Sequence, residues 1–236
     1  VLPCICGSLR DLVETQRALL YFNYFIFFNL IKVLKYIIII MEYIYEIPNL
    51  IDDIVCDDII NKFEVDQRKR TGMVGFHKVD ETIKKCVELS ISSLNEWSHV
   101  DKYLYSKYGE CLKKYKTYIH NLVGEAWDPT WTDIIFEDLK DTGYLIQRTD
   151  QDGFYKWHQD AHPTEHRVFA CILYLNTLTP EDGGTTDFMI GSKCISITPE
   201  KGKMLIFPSV WPYVHTGTPV LSSTKSKYIV TTFLRL

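Results

Sequence analysis

The feature that most constrains this chain is the regular punctuation that begins at Gly143. From there on, short runs of β-branched, aromatic and apolar residues are cut by Gly183-Gly184, Gly191-Ser192, Glu200-Lys201-Gly202 and Pro208. Glycine and proline break regular structure for opposite backbone reasons, so each cluster marks a turn. Eight candidate strands follow: Gly143–Arg148, Phe154–Gln159, Arg167–Leu175, Thr185–Ile190, Lys193–Thr198, Lys203–Phe207, Pro212–Thr216 and Lys227–Leu234. Eight short strands predict a jelly roll, whose two facing sheets enclose a mouth where side chains from several strands converge.

The preceding segment, residues 47–123, reads as helical. Thr82 is placed to cap a run in which Ile83, Val87, Ile91, Leu94 and Trp97 recur every three or four residues, and a second helix is expected over Glu110–Val123. The tyrosines at 103, 105, 108, 115 and 118 fit half-buried packing better than a contact surface. The fold expected is therefore α+β and mainly β, a double-stranded β-helix or jelly roll over residues 143–236 with an N-terminal helical layer.

The first forty residues differ in character. Leu19–Ile40 is long enough to span a bilayer, but Asn23, Asn29, Lys32 and Lys35 interrupt it, and a lysine at mid-membrane costs roughly 2.5–3.5 kcal/mol. No short apolar region with a small-residue cleavage site marks a signal peptide. Because the chain starts at Val1 and its first methionine is Met41, residues 1–40 are expected to be an appendage, either a membrane anchor or upstream translation. Residues 41–236 are then the main domain.

Composition narrows the function classes. With 46% hydrophobic and 24% charged residues the chain buries a core, and disorder is excluded. A net charge of −4 gives no bulk attraction for nucleic acid. Seven cysteines, an odd number without a Cys-x-x-Cys pair, fit free thiols in a reducing compartment. The cytoplasm is the first expectation, with membrane anchoring through residues 19–40 as the alternative.

The chemistry centres on Tyr155-Lys156-Trp157-His158-Gln159-Asp160. On a strand, His158 and Asp160 share a face, and with a second histidine they make the two-histidine, one-carboxylate set that suits a divalent iron and leaves coordination positions open. His-x-Asp alone occurs by chance, more often as a polar pair than as ligands. Its companion is His215, in a late candidate strand that a jelly roll brings back beside the pair. Lys225 and Lys227 precede the apolar run Tyr228–Leu234. A lysine pointing inward there needs an anion, whereas most lysines at such a position sit in the solvated turn.

Two other chemistries fit poorly. His158, His162 and His166 would align for zinc on a helix, but Pro163 interrupts that run. Neither a Gly-x-Ser-x-Gly elbow nor a glycine-rich phosphate loop is present.

Taken in order, six elements resemble the iron(II)- and 2-oxoglutarate-dependent dioxygenases, specifically the prolyl 4-hydroxylase-like group: Tyr144; Phe154–Asp160; Arg167 through Tyr174-Leu175-Asn176; Gly183-Gly184-Thr185-Thr186-Asp187-Phe188; Pro199, Gly202 and Leu205–Pro208; and His215–Val220 followed by Lys227-Tyr228-Ile229. The resemblance implies that His158, Asp160 and His215 hold Fe(II), that 2-oxoglutarate and O2 are co-substrates with ascorbate as an accessory, and that a lysine grips the far carboxylate. The family's usual spacing from the distal histidine selects Lys225, while the Lys-Tyr-Ile start of the last strand selects Lys227, which is preferred here. Tyr144 and Thr231 are further candidates for the same carboxylate, with packing as the competing role.

Trp157 and Trp211 could wall the site, with burial in the core as the competing role, and Arg167 is expected to make a structural salt bridge, with orienting the substrate as the alternative. Thr149–Gly153 and Asp128–Thr142 are expected to shape the entrance. The implied reaction is hydroxylation of an unactivated carbon, of a prolyl residue in a peptide or protein or of a small molecule, with release of succinate and CO2. The rival reading is a non-catalytic jelly-roll binding module, membrane-tethered through residues 19–40.

Overall fold

The computed structural model describes residues 43–75, 78–124 and 128–236. The expectations placed on residues 1–40 lie outside these described residues, as does Met41. Among the described residues no helix is long and apolar enough to cross a membrane.

The eight expected strands all form. They are β8 (Leu145–Thr149), β9 (Phe154–His158), β10 (Arg167–Tyr174), β11 (Thr186–Ile190), β12 (Lys193–Ile197), β13 (Met204–Pro208), β14 (Val214–Gly217) and β15 (Lys227–Arg235). The sequence Arg-Val-Phe-Ala-Cys-Ile-Leu-Tyr of β10 is apolar almost throughout, as a strand covered on both faces requires, and β10 lies inside the larger sheet. That antiparallel sheet runs β1-β13-β10-β15-β8-β6-β2, where β1 is Tyr45–Ile47, β2 Arg70–Thr71 and β6 Val87–Ser90, and β7 (Lys140–Asp141) pairs with β15. The smaller sheet runs β12-β11-β14-β9-β5, with β5 at Lys84–Lys85, and a separate hairpin pairs β3 (Met73–Val74) with β4 (Lys78–Val79).

One face of the larger sheet carries Ile146, Phe169, Cys171, Leu173, Val230 and Leu234, all buried. Two helices cover it. In α1 (Asp53–Val65) the buried positions are Cys56, Ile59 and Phe63, and in α2 (Ser98–Val123) they are Leu104, Tyr108, Cys111, Tyr115 and Ile119. Both sets recur at three- and four-residue spacing, one stripe of each helix. The Tyr108 hydroxyl donates to the Val230 carbonyl at 3.0 Å and so ties α2 to β15. A short α3 (Pro129–Glu137), capped by Asp128, contacts α2.

The helical expectation for residues 82–97 is corrected. The chain there forms β5, β6 and a 3-10 turn at Asn95–Trp97, while α2 starts twelve residues before the expected Glu110. The apolar set Val87, Ile91 fits helical spacing only if Leu89 is ignored; 87, 89 and 91 also alternate, and Leu89 pairs with Ile146 across β8. Pairing with an exposed sheet edge satisfies the backbone and buries Leu89 and Ile91 together. Thr82, instead of capping a helix, donates to Asp80 in the turn before β5.

The helical layer and the cavity lie on opposite faces of β15, so stability and metal binding should separate. Replacing fully buried Phe63 with alanine should cost about 3–5 kcal/mol in denaturant unfolding. Divalent-metal binding measured well below the new midpoint should be retained.

Candidate metal centre

Antiparallel pairing of β9 with β14 sets His158 directly opposite His215. Opposed residues project side chains to the same face, and the two imidazole centroids lie 4.2 Å apart. The chain leaves β9 immediately after His158 and carries Asp160 back between the rings. Its carboxylate oxygens lie 3.5 Å from His158 Nε2 and 3.4 Å from His215 Nε2. One donor atom from each of the three residues falls within 4.8 Å of the others.

The hydrogen bonds prepare these atoms for a cation. His158 Nδ1 donates to the Lys156 carbonyl at 2.7 Å and His215 Nδ1 to the Tyr213 carbonyl at 3.1 Å. Each bond fixes the proton on Nδ1 and leaves the Nε2 lone pair facing Asp160. Burial, against the opposing pull of Asp160, pushes the His215 imidazole down to about 4, so it is a neutral ligand at physiological pH. Burial resists ionisation of Asp160, but the surrounding imidazoles and Arg167 outweigh it and hold the carboxyl below its usual range. Two imidazole nitrogens and one carboxylate oxygen are the donor set expected for a ferrous ion.

Aromatic rings enclose the cluster. Phe207 lies 4.8 Å and Phe188 5.4 Å from the His215 ring, and Tyr155 stacks on His158 at 3.6 Å. Arg167 forms the expected salt bridge, to Glu165 at 2.6 Å; it also stacks on Phe233 and donates to the Asp160 carbonyl at 3.3 Å.

The cluster opens into a cavity of about 660 Å³ between the sheets. Lys227, 5% exposed, points into it with Nζ 3.4 Å from Thr186 Oγ1 and 5.6 Å from the Tyr174 ring. No carboxylate among the described residues pairs with it, and burial lowers its ammonium to about 8. Tyr174 donates its hydroxyl to Thr186 at 2.8 Å. Thr231 shares the cavity face and accepts from Gln147 at 2.9 Å.

The other candidates lie elsewhere. Lys225 is half exposed and paired with Asp182 at 2.7 Å in the turn outside the cavity. The Tyr144 side chain is on the helix side of the sheet, with the parity of Ile146 instead of Leu145 and Gln147; its ring packs 5.1 Å from Tyr108, and its buried hydroxyl has no partner among the described residues. It packs there and does not face Lys227. Trp157 and Trp211 do not wall the metal cluster. Strand alternation turns Trp157 outward from its neighbour His158, and both tryptophans line a separate surface groove with Met189 and Val214.

Residues 144–235 match the family described as the 2OG-Fe(II) oxygenase superfamily. That segment resembles a 2OG-Fe(II) oxygenase domain. Its cofactor is Fe(II), and 2-oxoglutarate and O2 are its co-substrates. No curated protein is a significant match in sequence. Among solved structures, a prolyl-4-hydroxylase from Pseudomonas putida is 16% identical, with a TM-score of 0.60 over 82% of this chain and 93% of that one. A viral collagen prolyl hydroxylase from Paramecium Bursaria Chlorella virus-1, in its 2OG complex, is 20% identical with a TM-score of 0.57, covering 81% and 95%. A prolyl hydroxylase from Trichoplax adhaerens, bound to a hypoxia inducible factor peptide fragment, is 15% identical with a TM-score of 0.63, covering 88% and 92%. These likenesses establish that the oxygenase has the expected double-stranded β-helix fold.

The oxygenase's sequence left Tyr155, Gln147, Tyr174 and Thr186 without roles. Tyr174 and Thr186 stood inside recognised motifs, but only the spatial position of Lys227 reveals what they face. In the metal-free protein, NMR should find the His215 imidazole neutral with its proton on Nδ1 at pH 5.5, charging only as the pH falls towards about 4. Titration near the ordinary histidine value of about 6.5 would contradict the burial argument.

Proposed function

We propose that this oxygenase hydroxylates a prolyl residue in a peptide or protein, with His158, Asp160 and His215 as the iron ligands and Lys227 as the partner of the far carboxylate of 2-oxoglutarate. The observation that carries the reading is the meeting of three donor atoms from β9, the loop after it and β14 at one end of a cavity that also receives a buried lysine with no ion-pair partner among the described residues. Bound iron, with 2-oxoglutarate and oxygen, supplies an oxidative decarboxylation to succinate and CO2 and the insertion of one oxygen atom into a substrate C–H bond.

The protein's own residues orient and shield that chemistry. The Nδ1 bonds lock the two histidine rings, and Arg167 holds the backbone of the Asp160 loop. Phe188 and Phe207 exclude water behind His215. Lys227 supplies a cation in a poorly solvated setting, where a charge-assisted hydrogen bond is strong, and the hydroxyls of Tyr174 and Thr186 are placed to complete the carboxylate's shell. The remaining cavity volume admits a side chain presented by a peptide, as expected for a binding cleft. The prolyl assignment is supported by the names of the structural relatives and by the peptide bound to the Trichoplax enzyme.

Anaerobic addition of Fe(II) and then 2-oxoglutarate should produce a visible charge-transfer band, and oxygen should then release succinate; a proline-containing peptide substrate should gain 16 daltons. Absence of both band and succinate would favour a binding module. Lys227→Ala should raise the 2-oxoglutarate KM about 30-fold or more, the loss of one hydrogen bond between charged groups, while Lys225→Ala changes it little. Because Lys227 loses its proton above about pH 8, wild-type 2-oxoglutarate affinity should fall as pH rises through that value, and Lys227→Arg should move the fall upward.

A further inference from the structure

At the cavity end bounded by β5 and β6, the two sheets are joined by a buried ion pair that the proposed reaction does not use. Lys84 in the smaller sheet reaches Glu88 in the larger one at 2.9 Å, and their side chains are 6% and 2% exposed. Arg70 adds a longer contact to the same carboxylate at 3.3 Å. Burying two charges costs several kcal/mol per ion, and an apolar pair of similar volume often packs as well. Next to Lys84, Lys85 is exposed, so burial of Lys84 is specific to that position.

The other contacts of Lys84 indicate what the ion pair holds. Its ammonium donates to the Met73 carbonyl at 3.3 Å, at the base of the β3–β4 hairpin, whose Met73, Val74 and Gly75 line the cavity. Gly72 presses that segment onto β6: its N–H donates to the Cys86 carbonyl at 2.9 Å, and a Cβ there would lie 2.5 Å from Cys86 Sγ. Lys84 also pairs with Tyr155 across β5 and β9, its ammonium 5.3 Å from the Tyr155 ring centroid. This is the ring that stacks on His158.

Resting on the reading of the triad as the metal site, we propose that Lys84 is a positioning residue: it holds the Tyr155 ring against His158 and anchors the β3–β4 hairpin at the cavity, with Glu88 as its buried counterion. A cation over the ring face and a stacked imidazole fix the ring. The fixed ring restricts His158 to the rotamer whose Nε2 faces Asp160. The pair therefore acts on the metal through an outer-layer contact.

The test uses Co(II), whose d–d spectrum reports ligand number and geometry, titrated anaerobically into the full chain and its variants, with thermal unfolding in parallel. Lys84→Met should weaken Co(II) binding about tenfold, the low end of the range for supporting contacts, and alter the spectrum; Lys84→Arg should restore most of the affinity. Tyr155→Leu should weaken binding similarly, and the double variant should be no weaker than Tyr155→Leu alone, because the two act in series. If Lys84→Met does not fold, Lys84→Met with Glu88→Gln removes the stranded carboxylate and carries the same expectation. Wild-type affinity and spectrum in the Lys84 variant, whatever its melting temperature, would overturn the positioning role while leaving the metal site standing. Failure of the wild-type chain to bind Co(II) through His158 and His215 would overturn the site and the inference together.

Discussion

The register of β9 against β14 is the constraint on which the site depends. Side chains alternate along a strand, so a slip of one residue would turn His158 or His215 away from the cavity and bring Trp157 or a neighbour of His215 inward. Neighbouring interactions protect this register. Thr216 donates to the Tyr155 carbonyl at 2.6 Å, and on its other edge β14 pairs with β11, where Phe188 faces His215. The metal donors are thus placed by backbone pairing, and the carboxylate needs only a short loop to join them.

A second division runs through β15. Its helix-facing residues Val230 and Leu234 are held by an apolar stripe on each helix, while Lys227 and Thr231 on the other face keep charge and hydroxyl groups within the cavity. A buried cation without a counterion is costly, and the packed layer behind β15 makes that cost tolerable. Lys227 and Lys84 resolve the same problem differently. The latter is neutralised by Glu88 within the fold, whereas the former retains its demand for an anion.

Much of this was legible in the sequence because the signals were local. Glycine and proline punctuation marked all eight late strands, and His158-x-Asp160 needed only the alternation of a strand to suggest a shared ion. The long-range placement of His215 came from the expected topology and the family resemblance, since its partner strand lies far away in sequence. Local periodicity misled at residues 82–97, where the spacing of apolar residues fits two structures and pairing with β8 selects the strand. It also could not decide the face of Tyr144, just ahead of β8, or reveal that Tyr174 and Thr186 meet beside Lys227. Lys225 and Lys227 have equal parity, so only the start of the strand and the Asp182 contact separate them.

The most direct test of the account is anomalous diffraction from crystals grown with Mn(II) under anaerobic conditions. A single strong peak bonded to His158 Nε2, His215 Nε2 and an Asp160 oxygen, with its remaining coordination positions facing the cavity, is the predicted result. A peak that omits either imidazole, or Mn(II) bound only at other carboxylates, would contradict it.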